Sequence, residues 1–172
     1  LDRFPEVAVE AYHIDNVIHG VRPNEFTHQH EHITKVLVTE APTLLDVPLP
    51  LGKLLFEAEH EVLERVQQTL VQEGWDQDYE LSFSGKTLLE MTAKGANKGG
   101  MVRRLAQRLG ISMDHVYCAG DEANDISMLT AGAMGFAPAN CIQAVRDCGA
   151  TIVSNAWEDA MADMVDILDK RY

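Results

Sequence analysis

Three carboxylates and an amide crowd the segment Cys118-Ala-Gly-Asp-Glu-Ala-Asn-Asp-Ile-Ser-Met-Leu129. Asp121, Asn124 and Asp125 stand at i, i+3 and i+4, a spacing that puts them on one face of a first helical turn. The apolar run His115–Ala119 reads as a buried strand, and a helix is predicted from about Glu122 to Thr130. Asp121 therefore falls where a strand ends and a helix begins. In open α/β sheets that carboxyl edge is where ligands bind. Adjacent carboxylates repel unless a cation compensates, and oxygen ligands that keep several waters suit Mg²⁺. The same residues also suit a plainer reading, with Asp121 as an N-cap and the acids placed by the helix dipole.

Lys98 is the second signal. It opens a predicted helix, where a positive charge opposes the helix dipole. A Lys beside a helix N-terminus is a good phosphate site. The flanking Gly95, Gly99 and Gly100 would let backbone approach a ligand. A solvated surface Lys is the competing reading, and Lys94 is a rival for the role.

His28, His30 and His32 form the third. On a strand they would share a face and could bind a transition metal. On a helix they diverge, and the local pattern is more helical. Cys118, Cys141 and Cys148 are an odd number without a CxxC, so neither a disulfide framework nor a zinc knuckle follows. Cys118 reads as inert in a buried strand. Cys141 and Cys148 read as core on one helix face.

The elements that must position these residues alternate. Val7–Tyr12 and Asn16–Val21 read as hairpin partners, Asn24–Ile33 as a short helix and Lys53–Phe56 as a buried strand. A strongly amphipathic helix covers Glu59–Glu73 and stops at Gly74. Tyr79–Phe83 and Thr87–Met91 read as two strands. After Lys94-Gly-Ala-Asn97 a helix runs over Lys98–Leu109, with Val102, Leu105 and Leu109 inward and Gly110 at its end. Then come the strand to Ala119, the helix to Thr130, a strand Met134–Ala137, a helix capped by Asn140, a strand Thr151–Val153 and a helix Ala156–Leu168. Such alternation means parallel strands with crossover helices, a doubly wound α/β core.

With 172 residues the chain should hold one domain or two small ones. Its 14 Lys and Arg against 27 Asp and Glu give a formal charge of −13. That balance repels phosphate backbones and anionic lipid, which argues against nucleic-acid and membrane partners. No apolar run fits a membrane span, and the start at Leu1 has no signal-peptide pattern. A cytoplasmic location is expected. The missing initial Met suggests a fragment, a processed product or a trimmed chain.

Lys94-Gly-Ala-Asn-Lys-Gly99, Leu109-Gly-Ile111, Ala119-Gly-Asp-Glu-Ala-Asn-Asp-Ile-Ser-Met-Leu129 and Ala131-Gly-Ala-Met-Gly-Phe-Ala-Pro-Ala-Asn140 occur in that order. Together they resemble the C-terminal part of Cof-type phosphatases, subfamily IIB of the haloacid dehalogenase (HAD) superfamily. The resemblance covers about Leu88 to the end. Residues 1–87 resemble, more loosely, the mixed α/β cap of that subfamily. It implies a HAD-like, Rossmann-like core present as its C-terminal half, 94–172, and a cap over 1–93. It implies that Asp121 binds Mg²⁺, that Asn124 lies near the phosphate and the metal waters, and that Lys98 steadies phosphate and nucleophile. Asp125 becomes the second acidic position, partnered with Lys98.

The family's nucleophile lies in an N-terminal Asp-x-Asp motif after a hydrophobic first strand. Here Asp76-Gln-Asp78 follows a helix in the cap-like half and does not match. The resemblance thus implies a Mg²⁺-dependent phosphatase that works through an aspartyl-phosphate on a small phosphorylated metabolite such as a sugar phosphate, and that is inactive as this chain alone. Its absent N-terminal core segment is expected as a covalent or non-covalent partner. The competing expectation is a non-catalytic fragment or regulatory module that keeps the fold. An acidic Ca²⁺ binder fits less well, because no Asp-x-Asp-x-Asp-Gly loop occurs.

Overall fold

The computed structural model describes residues 2–172 and divides into two compact units, one ending at Lys94 and the other spanning Gly95–Tyr172. In the first, the chain runs β1 (Ala8–His13), β2 (Ile18–Val21), α1 (Glu25–Thr34), β3 (Val38–Glu40), β4 (Leu51–Glu57), α2 (His60–Gln72), β5 (Tyr79–Gly85) and β6 (Leu88–Ala93). The strands form one six-stranded sheet in the order β3-β2-β1-β4-β6-β5. β3 lies parallel to β2, and the other pairings are antiparallel.

Residues paired across strands share a sheet face. Val9 faces Phe56, and Phe56 faces Leu89, so all three point to one side. There α2 supplies Leu63 and Val66, and these buried side chains make the main core of the unit. Full burial of a side chain such as Leu63 contributes about 1.5–3 kcal/mol. Gly74 adopts the left-handed φ of 81° that ends α2.

The opposite sheet face carries Glu10, Tyr12, Lys53, Glu57 and Glu90, in line with the registers Glu10↔Leu55, Tyr12↔Lys53 and Leu55↔Glu90. α1 docks on this polar side. Its N-cap Asn24 accepts the N–H groups of Phe26 and Thr27 at 3.0 and 3.2 Å. The same side chain donates to the carbonyls of Glu6 and Glu57, which ties the helix start to the end of β4.

The second unit runs α3 (Lys98–Leu109), β7 (Tyr117–Ala119), α4 (Ile126–Leu129), β8 (Met134–Pro138), α5 (Gln143–Asp147), β9 (Thr151–Val153) and α6 (Ala160–Asp169). Its sheet is parallel throughout, in the order β7-β8-β9. The crossover α/β reading holds here.

Details differ from the sequence expectations. α3 turns Gly99 and Ala106 inward, with Val102 against the core, while Leu105 and Leu109 are exposed. Where α3 meets α4 only a glycine fits, since a Cβ on Gly99 would lie 2.0 Å from the Ser127 carbonyl oxygen. Asn140 does not cap α5. Its side chain accepts the Ala156 N–H instead, and α5 begins after Ile142. β3 had no sequence signal of its own, being a three-residue edge strand. Cys118, Cys141 and Cys148 are all free and sit in or against the second core, and burial pushes the Cys118 thiol up.

Candidate active site

β7 ends at Ala119, and Gly120 and Asp121 follow it at the carboxyl edge of the parallel sheet. The next residues do not enter an α-helix at once. Ala123–Asp125 form a single 3₁₀ turn that leads into the short α4. Asp121, Asn124 and Asp125 therefore do not line one helical face. The tighter turn folds the Asp125 carboxylate back under the preceding backbone. Its Oδ2 accepts the N–H groups of Asp121 at 3.0 Å and Glu122 at 3.1 Å. The helix-cap position falls on Glu122 rather than Asp121.

Gly120 is required for this fold-back. A Cβ there would lie 2.5 Å from both Cβ and Cγ of Asp125. The outcome is a carboxylate only 5% exposed yet fully engaged. Its second oxygen, Oδ1, accepts from Lys98 Nζ at 2.5 Å. Lys98 also donates to Asn124 Oδ1 at 3.2 Å. Burial by itself opposes ionisation of Asp125 and is the largest single influence. The Lys98 ammonium and the two N–H groups together outweigh it and hold the carboxyl below its usual range.

Lys98 reaches this carboxylate because α3 and α4 touch. Asn97 caps α3 by accepting the Gly100 N–H at 2.8 Å, so Lys98 is the first helical residue. Gly99 N–H donates to Ser127 Oγ at 3.1 Å. A Cβ on Gly99 would lie 2.0 Å from the Ser127 carbonyl oxygen. The space beside Gly99 thus belongs to α4, not to a ligand, which corrects the sequence expectation. Lys98 keeps its side chain about half exposed, at 47%, with donor capacity facing solvent. Lys94 is occupied elsewhere. Its Nζ donates to the Asp76 carbonyl at 2.8 Å inside the first unit.

Asp121 is the free acid of the group. Its side chain is exposed, and it borders a cavity of about 260 Å³ with Ala119, Gly120, Phe136, Pro138 and Met164. The sequence-derived residues thus assemble as one cluster, with an anchored Lys98–Asp125 pair, Asn124 beside it and Asp121 open at the strand end. Ser127 was missed, and its signal was slight: a hydroxyl on the turn that faces Gly99.

The profile of the haloacid dehalogenase-like hydrolases matches residues 5–165. The chain belongs to that family. The 5-amino-6-(5-phospho-D-ribitylamino)uracil phosphatase of Bacillus subtilis is 28% identical over 106 residues, 62% of this chain and 40% of that protein. The HMP-PP phosphatase of Escherichia coli is 35% identical over 107 residues, 60% of this chain and 39% of that protein. Among solved structures, a HAD subclass IIB sugar phosphatase superposes with a TM-score of 0.82 at 17% identity, covering 97% of this chain and 62% of that one. The fold is therefore HAD-like. The match spans about two fifths of the length of these curated relatives. No helix among the described residues is long and apolar enough to cross a membrane.

The three histidines do not cluster in this HAD-family chain. They lie on α1, so alternate residues diverge. His28 and His32 are exposed, and His28 pairs with Glu31. His30 turns inward to Glu10 and Glu57.

Proposed function

We propose that residues 95–172 supply the Mg²⁺- and phosphate-facing half of a phosphatase site and that residues 1–94 are its cap. The complete enzyme would hydrolyse a small phosphorylated metabolite, a sugar phosphate being the favoured class. The observation that carries this reading is the division of labour at the end of β7. Asp125 is consumed by Lys98 and two backbone N–H groups, while Asp121 is left open at the sheet edge. Phosphatases of this family generally use Mg²⁺. A cation that keeps most of its waters fits one exposed carboxylate better than a closed protein cage. Asp121 would hold it, and the cation would neutralise charge on the phosphoryl oxygens.

The chain's own residues then have distinct tasks. Asp125 fixes Lys98 by a charge-assisted hydrogen bond and so orients its ammonium at the helix start. With two of its three hydrogens given to Asp125 and Asn124, Lys98 turns the remaining one to a phosphoryl oxygen, and its charge steadies the nucleophilic carboxylate. Asn124, held by Lys98, presents its amide N–H₂ toward the phosphate or the metal waters. The nucleophile is an aspartate carried by a segment outside this chain. Its carboxylate oxygen bonds to phosphorus as the substrate alkoxide leaves, and water then cleaves the acyl phosphate to release inorganic phosphate.

Exposed apolar residues support such a segment. β7 pairs with β8 alone among the described residues, and Met101, Leu105 and Leu109 on α3 and Met161 and Val165 on α6 are solvent-exposed. An unpaired parallel edge beside bare apolar side chains is the surface a further strand and helices would cover. The test compares residues 1–172 with the same chain extended N-terminally through an Asp-x-Asp segment. Mg²⁺-dependent hydrolysis of p-nitrophenyl phosphate is expected only from the extended protein. Robust turnover by a preparation whose mass matches residues 1–172 would refute the outside nucleophile.

A further inference from the structure

The polar face of the first unit buries more acid than it visibly neutralises. Glu10 on β1 and Glu57 on β4 are 1% and 0% exposed. Each is anchored by a hydroxyl. Tyr12 OH donates to Glu10 Oε2 at 2.7 Å, and Thr27 Oγ1 donates to Glu57 Oε2 at 2.5 Å. His30 descends from α1 between them, with Nδ1 3.0 Å from Glu10 Oε1 and 3.7 Å from Glu57 Oε1. The last distance is too long for a hydrogen bond. Glu57 Oε1 is accordingly a fully buried oxygen with no hydrogen-bond partner. A buried, orphaned carboxylate oxygen that faces an imidazole nitrogen and a second carboxylate is satisfied by a proton or by a bound cation.

We propose that Glu10, His30 and Glu57 form a binding site for a divalent transition cation, Zn²⁺ above all, inside the first unit. One oxygen of each glutamate and Nδ1 of His30 are the ligands, and these atoms lie within 4.8 Å of one another. Bonds of about 2.0–2.2 Å at tetrahedral to octahedral angles put ligand atoms about 2.8–3.6 Å apart. The two imidazole–carboxylate distances, 3.0 and 3.7 Å, lie at the edges of that range, and the two carboxylate oxygens, within 4.8 Å, would draw together on the ion. An imidazole nitrogen with two carboxylates selects Zn²⁺ or its neighbours over Mg²⁺, which prefers oxygen alone. Tyr12 and Thr27 complete the arrangement by orienting the two ligating carboxylates. The bound ion would tie α1 to β1 and β4. The site is separate from the Asp121 position and stands whether or not the phosphatase reading does.

The test is a calorimetric titration of residues 1–172, stripped with chelator, against ZnCl₂. The expected result is saturable binding of one Zn²⁺ per chain, with no comparable binding of MgCl₂. His30→Ala and the isosteric Glu57→Gln should each weaken it about tenfold or more. The double change His28→Ala and His32→Ala should leave it unaltered. Co²⁺ in the site should show no thiolate charge-transfer band. Absence of stoichiometric Zn²⁺ binding, wild-type affinity in His30→Ala, or a thiolate band would each overturn the proposal. If Glu57→Gln fails to fold, the rim residue His30 decides the matter.

Discussion

Lys98, the first residue of α3, places its ammonium 2.5 Å from the nearly buried carboxylate of Asp125. The contact resolves two local electrostatic problems. A lysine at a helix N-terminus is repelled by the dipole, and a buried carboxylate is costly without a partner. The pairing makes each tolerable and leaves the lysine partly exposed beside the open Asp121.

Asp125→Asn should destabilise the protein by about 1–3 kcal/mol at neutral pH, because the amide cannot accept from Lys98 and both N–H groups together. The pH dependence has a definite sign. The native pKa of Asp125 is lowered, so its contribution is present above the unfolded carboxyl value of about 3.9 and is lost as pH falls through the native value. Urea unfolding should show a constant wild-type advantage over Asp125→Asn from neutral to mildly acidic pH. The advantage should shrink below about pH 4. A gap that widens with acid would show that Asp125 is not a depressed, ionised group.

Lys98→Ala in the complete enzyme should weaken phosphate or vanadate binding by about 1.5–3 kcal/mol, the range for hydrogen bonds to charged groups. Lys94→Ala is the control and should do much less, since its ammonium serves the Asp76 carbonyl. Equilibrium binding of both variants decides. The reverse ranking would place the phosphate site one turn earlier in the chain.

Gly99→Ala should cost about 1–3 kcal/mol, the usual penalty for overpacking. The new Cβ would meet the Ser127 carbonyl, which is backbone and has little room to move. A denaturation midpoint equal to wild type would mean that α3 and α4 are not held at this distance.

Much of this arrangement was legible in the sequence, and for identifiable reasons. The strand–Gly120–Asp121 junction announced itself through an apolar run that stops at a glycine. Period and breakers also located α2 and α3. The 3₁₀ turn at Ala123–Asp125 was not legible, because helical spacing and a tight turn share the same residues and only the Asp125 side chain, bonding back to Asp121 and Glu122, selects the turn. The inward face of α3 was misread for a similar reason. Leucine periodicity pointed to Leu105 and Leu109, whereas close approach at Gly99 decided the contact. His30 stood out as one of three histidines, but its partners Glu10 and Glu57 lie on strands distant in sequence, and only the sheet register brings them together.

The open carboxylate at the end of β7 carries the functional account, and a Mg²⁺ titration of phosphatase activity in the complete enzyme with Asp121→Asn tests it most directly. Replacing an anionic carboxylate ligand by a neutral amide should raise the Mg²⁺ concentration for half-maximal activity about tenfold or more and cut turnover sharply at saturating substrate. Unchanged activity with an unchanged Mg²⁺ requirement would contradict the assignment of the metal to this strand end.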